Sequence, residues 1–202
     1  MDRRWVYAGL IAIVGAGLAK ALIQPRIRRG DRILLVGDSL AVGLAPHLAA
    51  LAKDTGASFQ ALATVGTRID QWADSDALTK ALDAVQPTLV LISLGTNDEY
   101  LQGDAVARQR PYLEKLLQKI EQYSHKQDYG LGPDAIVWIG PPTLPKPTVG
   151  IVAMVQEAAA GLRPRISYFP TQTLTIPRGP DHIHPTARGY AGWAGALWQW
   201  LS

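Results

Sequence analysis

From Gly30 onward the chain alternates short apolar runs with longer stretches in which leucines and alanines recur every three or four residues. The short runs predict strands over Arg32–Val36, Ser58–Val65, Thr88–Leu94, Ala135–Ile139 and Ile166–Phe169. Thr88–Leu94 carries no charge, as a parallel strand buried on both faces requires. Helical periodicity predicts Leu40–Lys53, with Leu44, Leu48 and Leu51 on one face, and Asp76–Val85, stopped by Pro87. It further predicts Asp104–Lys126, with Leu113, Leu116, Leu117 and Ile120 as an inner stripe, then Val149–Ala160 and Thr186–Leu201. Strand and helix alternate throughout, which implies an α/β domain whose parallel sheet is covered on both faces. Ligands of such sheets bind beyond the carboxyl ends of the strands.

The start of the chain breaks this pattern. Trp5–Ile23 is apolar except for Lys20 and is flanked by Arg3-Arg4 on one side and Arg26, Arg28 and Arg29 on the other. Three readings stand: a membrane anchor, a signal peptide with Ala19-Lys20-Ala21 as its small-x-small site, or a helix packed within the fold or an assembly. The expectation is residues 1–30 as an apolar helix with a basic linker, tethering a domain over residues 31–202 at a membrane or in the cell envelope. Arginines are more numerous after the apolar run, which favours a cytoplasmic domain and opposes export.

Charge sharpens that division. Seven of the 20 Lys/Arg and two of the 17 Asp/Glu fall in residues 1–32, a local balance of +5, so residues 33–202 carry −2 of the net +3. The pI of 9.2 therefore describes the leader, and no nucleic-acid partner is expected for the domain. With 202 residues the chain suits one domain with a substantial core. The chain has no cysteine, which removes disulfides, a thiol nucleophile and thiolate metal sites.

Four polar clusters interrupt the apolar pattern where strands should end: Gly37-Asp38-Ser39-Leu40, Gly66, Gly95-Thr96-Asn97-Asp98, and Asp181-His182-Ile183-His184-Pro185. Together they supply the parts of an acyl-transfer site: a hydroxyl, oxyanion donors, a base and a carboxylate to orient it. Each also has a plainer reading. Asp38 or Ser39 is a natural helix cap, Gly66 a turn glycine, and Asn97 an Asx-turn residue. Asp181 and His184 also suit a structural pair, and His182-x-His184 a metal site that Asp38 or Asp98 would have to complete. Pro185 disfavours a helical His184 and suits the first helical position, so Asp181–His184 is expected as a turn leading into the last helix. There the Asp181 carboxylate reaches one imidazole nitrogen of His184 and leaves the other for Ser39.

In these blocks and their order the chain resembles the SGNH, or GDSL, hydrolase family over roughly Asp31 to Ser202. Gly37-Asp38-Ser39-Leu40 matches the nucleophile block, Gly66 the second, Gly95-x-Asn97-Asp98 the third, and Asp181-x-x-His184-Pro185 the last. The second block, Ala63-Thr64-Val65-Gly66-Thr67-Arg68, departs from the family in lacking an asparagine. The resemblance implies a flavodoxin-like three-layer α/β/α sandwich with five parallel strands. It implies Ser39 as nucleophile, His184 as base and then acid, and Asp181 as its orienter. The oxyanion hole would be the Ser39 and Gly66 N–H groups with the Asn97 amide, needing no cofactor and no metal.

Arg68, Thr96, Tyr100 and Pro142 are expected to line the substrate pocket. Trp193, Trp198 and Trp200 lie at helical spacing, which fits packing of the last helix better than sugar stacking. The expected activity is serine-dependent hydrolysis of an acylated cell-envelope glycan or a lipid-like ester. The competing expectation is a catalytically idle domain of the same fold, kept as a binding or structural part of a membrane or particle assembly.

Overall fold

Five parallel strands lie side by side in the order β2-β1-β3-β4-β5, in a computed structural model that describes residues 25–101, 103–126, 135–144, 150–160 and 166–202. The strands are β1 (Arg32–Gly37), β2 (Ser58–Ala63), β3 (Leu89–Ser93), β4 (Ala135–Ile139) and β5 (Ile166–Phe169). This strand order is the flavodoxin-like doubly wound arrangement. The helices are α1 (Ser39–Thr55), α2 (Ile69–Ala73), α3 (Asp76–Val85), α4 (Ala105–Lys126), α5 (Ile151–Ala160) and α6 (Ala187–Trp200).

Side-chain alternation along the strands sorts the apolar residues into two cores. Leu34, Val36, Val90, Ile92, Ile136 and Trp138 pack against α2, α3, α4 and α5. Ile33, Leu35, Leu89, Leu91, Val137 and Ile139 pack against α1 and α6. Sandwiched in this way, β1, β3 and β4 need apolar residues at every interior position, and they have them. Leu44 and Leu48 of α1 are buried, whereas Leu51 is only partly covered.

The last helix packs as its tryptophan spacing predicts. Trp193 is buried and donates from Nε1 to Thr171 Oγ1 at 3.0 Å, and Trp200 meets the Phe169 ring edge-on at 5.6 Å. Tyr190 lies over Gly43 so closely that a Cβ there would fall 2.0 Å from the ring. This contact sets the approach of α6 to α1.

Besides shifts of one or two residues at several element ends, three details differ from the sequence expectation. β2 ends at Ala63, not Val65: Thr64 N–H makes the last ladder bond, to Gly37 O at 3.0 Å, and the chain then turns, with Gly66 at φ +78°. Helix α2, only five residues long, was too short for periodicity to register. Thr186 is not in the last helix but caps it, its Oγ1 accepting Gly189 N–H at 3.1 Å.

At the other end, residues before Asp31 also bond to the domain. Ile27 N–H donates to Leu201 O at 2.8 Å and Gly30 N–H to Gly56 O at 3.0 Å. The expected apolar helix at Trp5–Ile23 lies outside the described residues, among which no helix is long and apolar enough to cross a membrane.

Candidate active site

Strand β1, flanked by β2 and β3, places Ser39. β1 ends at Gly37, whose register partners are Ala63 of β2 and Ser93 of β3, so the loops after these three strands emerge together. Asp38 then caps α1 in an extended conformation, its Oδ1 accepting Leu40 N–H at 2.9 Å. The capping and chemical readings of this motif thus fall on different residues. Ser39 is the first residue of α1, and its N–H has no partner among the described residues.

The second half of the site is a closed turn before α6. Gly179 N–H donates to His184 O at 2.8 Å and His182 N–H to Gly179 O at 3.0 Å. Inside it, Asp181 Oδ1 accepts the N–H groups of Ile183 at 3.0 Å and His184 at 2.9 Å. Its Oδ2 accepts His184 Nδ1–H at 2.6 Å, which leaves Nε2 to accept the Ser39 hydroxyl at 2.8 Å. The tautomer follows from this pairing, since a carboxylate can only accept. The imidazole hydrogen bond, followed by the two amides, holds the Asp181 carboxyl down at about 2. His182 sits exposed at φ +58°, outside this chain of contacts.

Asn97 and Gly66 complete the same edge. Asn97 Nδ2 donates to Thr67 O at 2.8 Å and, more weakly, to Asp38 Oδ2 at 3.3 Å, which fixes the amide between the nucleophile loop and the Gly66 loop. Gly66 is exposed; its N–H has no partner among the described residues, and nothing lies within 4 Å of where its Cβ would be. That open space suits the approach of a ligand oxygen to the N–H.

The four residues expected to line the pocket separate. Tyr100 is 42% exposed at the rim. Arg68 commits its guanidinium to Asp70, two contacts of 3.2 Å. Thr96 and Pro142 are buried and offer little surface. Instead the structure brings in Arg178, which the sequence did not single out. Its Nη1 donates to Ile183 O at 2.6 Å and its Nη2 to Thr143 O at 2.5 Å, clamping the histidine turn to the loop after β4. A single arginine three residues before Asp181 has no spacing signature. Among the described residues no group of three or more potential ligands could hold a metal ion.

Two buried carboxyls lie beneath the site. Desolvation raises Asp38 to about 6 and, with the charge of Asp70 adding to it, Asp98 to about 7. Both folded values lie above the ordinary aspartate value of 3.8, so the native state binds more protons than the unfolded chain between roughly pH 4 and 7. Stability should therefore rise as pH is lowered from about 8 to about 5. Thermal unfolding midpoints across that range check the sign, and an unchanged or falling midpoint would contradict it.

The fold and the hydrogen-bonded Ser–His–Asp chain define a hydrolase architecture of the acyl-transfer type. The model of the GDSL-like lipase/acylhydrolase family matches residues 35–191, and the chain belongs to that family as an SGNH-type esterase. Among solved structures, a candidate GDSL-like lipase from Parabacteroides merdae aligns with TM-score 0.64 and 17% identity, over 88% of this chain and 99% of its own. Axe2, an acetylxylan esterase from Geobacillus stearothermophilus, aligns with TM-score 0.62 and 15% identity, over 88% and 96%. TesA aligns with TM-score 0.61 and 18% identity, over 84% and 97%. At these identities the likeness speaks to the fold. A comparison with curated proteins finds no match.

Proposed function

We propose that the protein is a serine-dependent carboxylic ester hydrolase that removes acetyl or other acyl groups from a cell-envelope glycan or a lipid-like ester. The observation that carries this reading is the chain of contacts from Asp181 through His184 to Ser39, at 2.6 and 2.8 Å. Ser39 Oγ attacks the ester carbonyl carbon while its proton passes to His184 Nε2, and Asp181 stabilises the imidazolium. The oxyanion is received by the N–H groups of Ser39 and Gly66 and by the Asn97 amide, which gives up its long 3.3 Å contact to Asp38 to donate. Collapse expels the alcohol, which takes the proton from His184. Water, deprotonated by the same nitrogen, then releases the acid from Ser39.

The openness of the site favours a bulky alcohol. The side chains of His184 and Asp181 remain 42% and 49% exposed. An acetylated polymer reaches such a nucleophile without entering an enclosed cavity, and the similarity in fold to Axe2, an acetylxylan esterase, is consistent with that class.

Nitrophenyl esters of increasing chain length and an acetylated polysaccharide, each assayed with Ser39→Ala as control, test the proposal. Release of acetate by the wild type alone is expected. Equal inactivity of wild type and Ser39→Ala on every substrate would defeat it.

The apolar run Trp5–Ile23 adds a membrane tether to this reading. Removing residues 1–24, upstream of the docked Ile27, should move activity from the membrane to the soluble fraction with kcat unchanged. Activity that is soluble in the full chain would count against the tether.

A further inference from the structure

Asp98 is fully buried directly behind Asn97, yet no step of the hydrolysis above uses it. Its two carboxylate oxygens stand 3.2 and 3.4 Å from one donor, the N–H of Ile69. Ile69 opens α2, the helix that follows the Gly66 loop. The preceding residue, Asn97, grips the same loop two residues earlier, at Thr67 O. Consecutive side chains of the β3 loop therefore hold the β2 loop by a carbonyl and an amide.

Apart from a long contact from Thr67 Oγ1 to Gly37 O at 3.4 Å, the rest of that loop is held from within and at its ends. Thr67 Oγ1 donates to Thr64 O at 2.8 Å and accepts Trp72 Nε1–H at 2.9 Å, which closes the turn on itself and on α2. Thr64 N–H is tied to Gly37 O at its near end. Val65 is 70% exposed and Gly66 meets nothing, so the apex is positioned by its two ends. The far end is where Asp98 acts.

We infer that Asp98 is a positioning residue for hydrolysis, fixing the Gly66 N–H relative to Ser39 by holding the Ile69 amide. The inference rests on the proposed esterase reading, in which Gly66 donates to the oxyanion. A buried aspartyl side chain is suited to this task because, charged or neutral, it keeps an acceptor oxygen for an amide that water does not reach. Without it, the Ile69 N–H is left buried and unpaired, and the loop must shift to satisfy it. A displaced donor weakens transition-state binding while leaving ground-state binding little changed.

The test measures KM and kcat per site titrated with a fluorophosphonate for wild type, Asp98→Ala, Asp98→Asn, Gly66→Ala and the Asp98/Gly66 double variants, with Ser39→Ala, which has no hydroxyl to titrate, assayed per mole of protein as the inactive control. Asp98→Ala should lower kcat about a hundredfold with KM within about twofold, the loss typical of one oxyanion donor. Asp98→Asn, which keeps one acceptor for Ile69 N–H, should recover at least about tenfold of that loss. In the Gly66→Ala background, either Asp98 substitution should cost less than about threefold, because both act on one donor. If Asp98→Ala fails to fold, Asp98→Asn carries the same cycle. Wild-type kcat per titrated site in the Asp98 variants, or losses that simply multiply with Gly66→Ala, would overturn the inference while leaving the esterase reading intact. An inactive wild type matching Ser39→Ala would overturn both.

Discussion

His184→Ala should lower kcat by about four orders of magnitude or more, with KM nearly unchanged, because the imidazole serves both half-reactions. It removes the acceptor of the Ser39 proton, 2.8 Å away, and later the acid that protonates the leaving alcohol. Asp181→Asn should be milder. In a buried triad the corresponding change costs about 10⁴ in kcat, but the Asp181 side chain here is 49% exposed, where water weakens the charge interaction. A loss of about 10²–10³ is therefore expected, most of it from orientation of the imidazole rather than from charge. Steady-state kinetics on one activated ester checks the ranking. An Asp181→Asn variant with wild-type kcat would show that the turn backbone alone orients His184.

The same turn shows what the sequence could and could not reveal. Asp181, His184 and Pro185 are close in the chain, so local rules of turn geometry were enough to foresee the 2.6 Å contact. The strands were legible because burial on both faces leaves a charge-free apolar run, as in Leu89–Ser93. Asp98 and Arg178 were not legible as supports, since each acts on a backbone group brought near only by the fold, 29 residues away for Ile69 and 35 for Thr143. Thr96 shows the converse error. Adjacency to Asn97 suggested a pocket wall, but the tight exit from β3 turns it inward to 4% exposure.

Gly37→Ala should damage both stability and activity severely, for reasons of space rather than conformation. A Cβ at this position would lie 2.4 Å from Ser93 O and 2.5 Å from Ala41 Cβ. Ser93 O is backbone of the neighbouring strand and also accepts Asp38 N–H at 3.2 Å, so it cannot yield without opening the sheet at its last register pair. Ala41 lies in the first turn of α1, so yielding there moves Ser39 itself. Relief of the clash must separate β1 from β3 or tilt α1, and either breaks the 2.8 Å contact to His184. A loss of about 3 kcal/mol or more is expected, at the upper end of overpacking costs, together with nearly all activity. Gly66→Ala provides the contrast. Its Cβ would meet no atom within 4 Å, but φ +78° is unfavourable for alanine, so stability should fall by only about 1–2 kcal/mol. Activity should fall out of proportion, because the strain is relieved by moving the N–H proposed to receive the oxyanion. Urea unfolding and kcat measured on both variants separate the two cases: Gly37 governs whether the nucleophile is placed at all, and Gly66 whether the placed nucleophile has an oxyanion donor. Equal losses of stability in the two variants would contradict this division.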